Sequence, residues 1–172
     1  MGNFGALWGS RGRKPVLHVM SGSENNTPVY YNALYRHGVD DKRRLQIPSK
    51  WRSTVEEVFT VILWPNGAQR DAYLLVLPPE PMLALITKLK AMPYSDPTAD
   101  SLRRLLGKKS DQVTVDKSGR ICLPESITKA AGIEKEAVLV GSWDRFEIWN
   151  PERYEQASVV DDALAAEAFK LI

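Results

Sequence analysis

The chain of 172 residues has a single cysteine, Cys122. No internal disulfide can form, which fits a reducing cytoplasm. The only histidines, His18 and His37, are far apart and have no cysteine cluster beside them, so no metal centre and no cofactor is expected. No apolar run approaches the ~20 residues of a membrane-spanning helix. The first residues lack the apolar core of a signal peptide, and Ala6 stands where a myristoylation signal needs Ser or Thr. Catalytic signatures are missing too. There is no nucleophile elbow or zinc-protease motif. Gly107-Lys108-Lys109-Ser110 lacks the earlier glycine of a phosphate loop, with Leu102 in its place. The adjacent carboxylates Glu56-Glu57 and Asp161-Asp162 read as solvent-facing. These absences argue against an enzyme.

What remains is ordinary globular material, 44% hydrophobic and 26% charged, enough for one domain or two small ones. The charge is unevenly spread. Residues 1–120 hold 18 Lys+Arg against 11 Asp+Glu, while residues 121–172 hold 5 against 10. A basic body with an acidic tail suggests a polyanionic partner for the body, although such imbalance also occurs in proteins with no such partner.

The most informative pattern is a repetition. Val39-Asp40-Asp41-Lys42-Arg43-Arg44-Leu45-Gln46-Ile47-Pro48 returns 76 residues later as Val115-Asp116-Lys117-Ser118-Gly119-Arg120-Ile121-Cys122-Leu123-Pro124. Val, Asp, Arg and Pro are identical, and the apolar alternation survives as Ile121 and Leu123. A repeated Asp-x-x-x-Arg turn inside a strand pattern implies a duplicated module. The match resumes at Pro79-Glu80 and Pro151-Glu152, now 72 residues apart. Repeat one therefore carries extra residues, assigned to the Pro65–Arg70 loop.

Residues 1–29, rich in Gly, Ser and Asn with Arg11, Arg13 and Lys14 clustered, read as a flexible extension. Module one spans 30–92. After the turn and Leu45-Gln46-Ile47, Pro48 opens a short helix over Ser49–Arg52, followed by strands Val58–Leu63 and Tyr73–Leu77 and a helix from Pro79. A connector over 93–110 holds a short helix, with Leu102, Leu105 and Leu106, that ends at Gly107. Module two spans 111–172: Gln112–Val115, the second turn, a helix from Pro124 to Ala131 ended by Gly132, strands Val138–Val140 and Phe146–Trp149, and a last helix capped by Asn150.

This order of parts resembles the MraZ family, bacterial transcriptional regulators with two AbrB-like modules, over about residues 31–155. Besides the two turns, Ala131-Gly132-Ile133, Val138-Leu139-Val140-Gly141 and Asp144-Arg145-Phe146-Glu147-Ile148-Trp149 carry the likeness. The resemblance implies an α+β, mostly β fold of two swapped-hairpin AbrB-like modules with short flanking helices. It implies ring-like homo-oligomers in the cytoplasm, associated with the nucleoid. It also implies binding of double-stranded promoter DNA at short G-rich direct repeats upstream of the division and cell-wall gene cluster. Carried over by position, the DNA-binding turns are Asp40 with Arg44 and Asp116 with Arg120. A protein-interaction role, on a partner such as the rRNA methyltransferase encoded beside family members, is the alternative. Two features depart from the family: the N-terminal extension, which leaves a later start such as Met20 open, and Arg43, which stands where the family has Gly, as at Gly119.

The residue chemistry gives the same site a physical basis. An Asp opening a tight turn can accept backbone N–H bonds within it and can hold the Arg four residues on. The forked guanidinium can then grip a phosphate or the O6/N7 edge of guanine. One such turn alone reads more readily as a surface ion pair worth about 0–1 kcal/mol; two at matched positions, with the family likeness, reverse that in favour of recognition. Lys42, Arg43, Arg44, Lys50 and Arg52 put five cations within eleven residues, a patch suited to phosphates. Lys117 and Lys129 are the sparser counterparts. If Gly119 has a positive φ, Arg43 in the same shape costs roughly 1–2 kcal/mol; either turn one is built differently or the strain is tolerated for the added charge. Trp51, Trp64, Trp143 and Trp149 read as core or subunit-interface residues, and Cys122 as a small structural residue.

Overall fold

The computed structural model describes residues 27–53 and 56–172. The basic cluster of the extension lies outside them. The described chain runs β1 (Leu34–Gly38), β2 (Arg44–Gln46), β3 (Val58–Asn66), β4 (Gln69–Leu77), α1 (Pro79–Ala91), α2 (Pro97–Lys108), β5 (Ser110–Thr114), β6 (Arg120–Cys122), α3 (Glu125–Ala130), β7 (Glu136–Gly141), β8 (Phe146–Trp149) and α4 (Pro151–Ala168). Strands outnumber helices in this α+β fold.

Proline opens α1, α2 and α4 at a position where a missing N–H costs nothing. Asp96 caps α2 by accepting from Thr98 N at 2.8 Å, and Asn150 caps α4 by accepting from Arg153 N at 3.0 Å. Three local expectations need correction. The short helix after Pro48 is a 3-10 helix of one turn, Ser49–Trp51, that stops one residue short of Arg52. The turn is held from below: Trp51 is fully buried and its indole N–H donates to Asn32 O at 3.0 Å. Gly107 does not end α2, which runs on to Lys108; Leu106, packed with Ile62, Leu75 and Leu77, keeps the last turn helical. The β3–β4 hairpin extends through Asn66 and Gln69, well past Leu63. Its tip is exposed on both sides, so it lacks the alternation that marks a half-buried strand.

The strands form a six-stranded sheet in the order β1-β7-β8-β4-β3-β5 and a two-stranded ribbon, β2-β6. Exchanging the repeats, so that β1 becomes β5, β3 becomes β7 and β4 becomes β8, returns the same order. The sheet thus has an internal two-fold. It is also interleaved. β1 of repeat one pairs with β7 of repeat two, Leu34 opposite Val140, and β5 of repeat two pairs with β3 of repeat one, Phe59 opposite Val113. Each repeat contributes its first strand to the other.

The main core lies between one face of this sheet and the ribbon. Phe59, Val61, Leu74, Leu139, Phe146 and Ile148 come from the sheet; Leu45, Ile47, Ile121 and Leu123 come from the ribbon and the residues that follow each of its strands. Trp51 meets Tyr31, Tyr35 and Phe146 with ring centroids 5.1–5.8 Å apart, an aromatic cluster that adds directional packing to the burial. The sheet's other face is covered by helices, α1 and α2 over Ile62, Leu75 and Leu77, and α4 over Val138 and Trp149. The order of layers is helices, sheet, ribbon, and the ribbon carries the repeated turns. Among the described residues no helix is long and apolar enough to cross a membrane.

Candidate nucleic-acid interface

Each turn is organised by its aspartate. Asp40 Oδ1 accepts from Lys42 N at 2.9 Å and Arg44 N at 2.8 Å, while Oδ2 accepts from Arg44 Nε at 2.6 Å. Asp116 repeats this wiring: Oδ1 accepts from Ser118 N at 2.8 Å and Arg120 N at 3.0 Å, and Oδ2 from Arg120 Nε at 3.1 Å. The backbone matches as well. Arg43 N donates to Asp40 O at 2.8 Å and Gly119 N to Asp116 O at 2.9 Å; Asp40 N and Asp116 N donate to Arg44 O and Arg120 O. The backbone N–H of the arginine is the main influence holding each Asp carboxyl below its ordinary range, reinforced by the guanidinium and by the N–H two residues on. Arg44 is therefore fixed through Nε alone, with both terminal nitrogens turned outward, whereas Arg120 is fixed through Nε and one terminal nitrogen, Nη2, also 3.1 Å from Asp116 Oδ2, and keeps Nη1 and the outer N–H of Nη2 for an outside acceptor.

The ribbon joins the turns. Leu45 and Ile121 point to the core, so Arg44 and Gln46 on β2, and Arg120 and Cys122 on β6, occupy the outer face. Arg44 lies opposite Cys122 and Arg120 opposite Gln46. The turns also bond to each other's repeat: Ile47 N donates to Gly119 O at 2.9 Å and Leu123 N to Arg43 O at 2.9 Å. One rigid unit thus presents both arginines on one side.

The first turn is not built differently. Arg43 adopts φ +58°, beside φ +78° at Gly119. Its strain is offset in part by a cross-repeat bond, Arg43 Nε donating to Leu123 O at 3.1 Å. Gly119 has a second constraint that Arg43 lacks. A Cβ there would collide with the Arg52 guanidinium, because the Arg52 side chain lies across this turn. The residue matching Arg52 at the 76-residue offset is the buried Thr128. The large residue sits in the turn of repeat one and beside the turn of repeat two.

The comparisons with known proteins agree with this build. The family model described as "MraZ protein, putative antitoxin-like" matches residues 108–168. A Clostridium tetani protein named transcriptional regulator MraZ is 35% identical over 122 residues, covering 71% of this chain and 82% of its own. The chain belongs to the MraZ family. MraZ regulators of Herpetosiphon aurantiacus, 36% identical over 134 residues (78% of this chain, 88% of theirs), and Desulfitobacterium hafniense, 34% over 139 (80% and 94%), agree. Alignments of this length cannot fit between residue 108 and the C-terminal end, so MraZ similarity reaches into repeat one as well.

In this MraZ-family chain all seven residues expected at the site lie on the two turns: Asp40, Lys42, Arg43 and Arg44 on the first, Asp116, Lys117 and Arg120 on the second. Lys42 and Lys117 are exposed; Arg43, Arg44 and Arg120 are half-buried. Other expectations change. Cys122 is exposed on the ribbon, its Sγ 3.4 Å from Lys42 O, rather than a packing residue. Of the tryptophans expected in the core or at a subunit interface, Trp51 and Trp149 are core, while Trp143 is 71% exposed, in a loop at φ +65°, outside the core of the single chain. Glu57 is half-buried, not solvent-facing, and burial raises its carboxyl. Lys109 is ion-paired with Asp71. Sequence reasoning missed Gln46 and placed Arg52 in the phosphate patch without its contact to the other repeat's turn; the 76-residue offset that pairs Gln46 with Cys122 and Arg52 with Thr128 was the available signal.

Proposed function

We propose that this chain is a sequence-specific DNA-binding transcriptional regulator, acting at the nucleoid on short G-rich direct repeats upstream of the division and cell-wall gene cluster. The observation that carries this reading is the pair of identically wired Asp-x-x-x-Arg turns on one two-stranded ribbon. A major groove about 12 Å wide admits such a ribbon. Arg44 and Arg120 are offset by two residues along it, roughly 7 Å at strand spacing. That is about two base-pair steps of 3.4 Å, so both guanidiniums fit neighbouring bases in one groove. Arg44 can engage guanine O6 and N7 with its two terminal nitrogens while Asp40 holds Nε; Arg120, held by Asp116 at Nε and Nη2, offers Nη1 and the outer N–H of Nη2. Lys42, Lys50 and Lys117 flank the pair for phosphates.

Short direct repeats call for several copies in register, which supports a ring-like homo-oligomer. The helix layer, opposite the turns, has surfaces for it. α4 and the turn after it expose Val160, Leu164 and Leu171 among Asp161 and Asp162; the α1–α2 hairpin exposes Leu83, Leu102 and Leu105 among Lys88, Lys90 and Lys108. Opposite charge on different surfaces favours head-to-tail contact, the kind that closes rings. Such contacts leave every turn free.

Gel-shift titration of the full chain on DNA bearing short G-rich direct repeats, against scrambled DNA of equal length, tests the reading, with light scattering for the assembly. Tighter binding to the repeats, weakening steeply with salt, is expected. Equal affinity for both DNAs overturns sequence reading. Capture of an rRNA methyltransferase without any DNA binding would put the protein-interaction role in its place.

A further inference from the structure

We propose that Gln46 is a positioning residue that sets the sequence discrimination of the second turn, so that the two turns of one chain read DNA unequally; this rests on the DNA-reading function proposed above. Gln46 lies on the outer face of the ribbon, opposite Arg120. Its amide Nε2 donates to Ser118 O at 3.2 Å and to Gly119 O at 3.0 Å. These are the two carbonyls immediately before Arg120. The same nitrogen lies 3.5 Å from Ile47 O; of the three contacts of an amide with two N–H groups, the two shortest are to turn two. Repeat one thus clamps the backbone that aims the reading arginine of repeat two.

The internal two-fold places Cys122 at the matching position, opposite Arg44. It meets the matching carbonyl, Lys42 O, with Sγ at 3.4 Å. A thiol is a weak donor with a single proton, so it makes one weak tie where Gln46 makes two of ordinary amide length. The rest of the environment sharpens the contrast. Turn two has glycine at its left-handed position and is overlaid by Arg52. Turn one holds Arg43 in that conformation, tied across the repeats by its own Nε to Leu123 O at 3.1 Å rather than through the carbonyls before Arg44, and carries the denser positive charge. The second turn is a pre-organised reader, and pre-organisation raises discrimination because a misaligned base cannot be met by turn rearrangement. The first turn supplies more charge-driven, sequence-blind affinity.

The test exchanges the two residues in the full chain. Gln46→Cys gives turn two the weaker tie, Cys122→Gln gives turn one the clamp, and Gln46→Met keeps the volume of Gln46 without a donor. Affinity for G-rich direct-repeat DNA and for scrambled DNA is measured across salt, with hydrogen exchange at the Gly119 and Arg120 amides and light scattering for the assembly. Loss of one to two hydrogen bonds predicts that Gln46→Cys and Gln46→Met lower the specific-to-scrambled ratio about 5–30-fold. The affinity for scrambled DNA and the salt slope should stay in place, and both amides should exchange faster. Arg120→Ala should then cost less in the Gln46→Met background than in the wild type. Cys122→Gln should slow exchange in turn one and raise the ratio. A wild type that discriminates, with Gln46 variants that discriminate equally well, overturns the role of Gln46 and leaves the DNA reading intact. A wild type that does not discriminate overturns both. Parallel loss of specific and scrambled binding in Gln46→Met, with the assembly dissociated, shows a merely structural residue and also overturns the proposal.

Discussion

Replacing Arg43 separates two forces that the structure sets against each other. The residue sits at φ +58°, which costs a side-chain-bearing residue about 1–2 kcal/mol. Against this stands its Nε bond to Leu123 O at 3.1 Å, a partly buried, charge-assisted interaction of roughly 1–2 kcal/mol. Arg43→Gly removes the strain and the bond together and adds about 0.5–1 kcal/mol of chain freedom to the unfolded state. The net change should stay within about 1 kcal/mol of the wild type. Arg43→Ala loses the bond and keeps the strain, so it should be destabilised by roughly 1–2 kcal/mol and fall below Arg43→Gly by about 0.5–1 kcal/mol. Urea unfolding of both variants at one protein concentration resolves such a gap. Arg43→Ala equal to or above Arg43→Gly would refute a left-handed first turn. The same variants probe DNA: if the terminal nitrogens of Arg43 meet a phosphate, Arg43→Gly should flatten the salt slope by roughly one for every phosphate that a bound turn no longer neutralises. An unchanged slope would strike Arg43 from the DNA-binding set without touching the turn geometry.

The reading arginines should show the converse pattern: Arg44→Ala and Arg120→Ala should each cost roughly 1–3 kcal/mol of specific binding per site with the oligomer intact by light scattering, and unchanged affinity in the double variant would sink the assigned site. Gly119→Ala should destabilise the fold by more than about 1 kcal/mol, since it meets both φ +78° and the Arg52 guanidinium; adding Arg52→Ala should recover part of that loss, and no recovery would deny the packing. Acid should loosen the turns. The Asp40 and Asp116 carboxyls lie below their ordinary value of 3.8 when folded; the unfolded chain therefore takes up protons first, and their contribution is complete above 3.8 and lost as pH falls through the lower folded values. Urea midpoints measured downward from neutral pH should fall less steeply for Asp40→Asn with Asp116→Asn, and an identical acid limb would contradict the assignment.

The parts of this molecule that were legible in the sequence are those whose signal is local or repeated. Proline marked the starts of three helices, alternation marked the ribbon, and the echo of Asp40–Arg44 at Asp116–Arg120 marked both turns. Partners across the repeats were harder. The pattern of Leu34–Gly38 says strand but does not say β7, and only the family likeness pointed to interleaving. Arg43 carried no glycine to betray a positive φ; only its alignment with Gly119 did. Cys122 was misread because its buried neighbours Ile121 and Leu123 drew attention to packing, although alternation places the residue between them on the outer face. Gln46 looked like an ordinary strand residue and Arg52 like one more cation of the patch, because what they hold lies more than sixty residues away in sequence.

The exchange of first strands between repeats has a consequence for how this chain can be cut. With β1 lodged against β7 and β5 against β3, a protease acting near Tyr94, which is 77% exposed between α1 and α2, would not liberate two independent domains. It would leave two fragments that remain associated through sheet pairing and a shared core, separable only in denaturant. Each fragment alone would lack an edge strand and half of the ribbon, leaving unpaired sheet edges open to aggregation. Mixed, the two should reassemble by complementation, as would be expected of an ancestor in which two separate copies of one module paired before a linker made them a single polypeptide. Nicked protein that still elutes as one species and still shifts DNA would display that history directly.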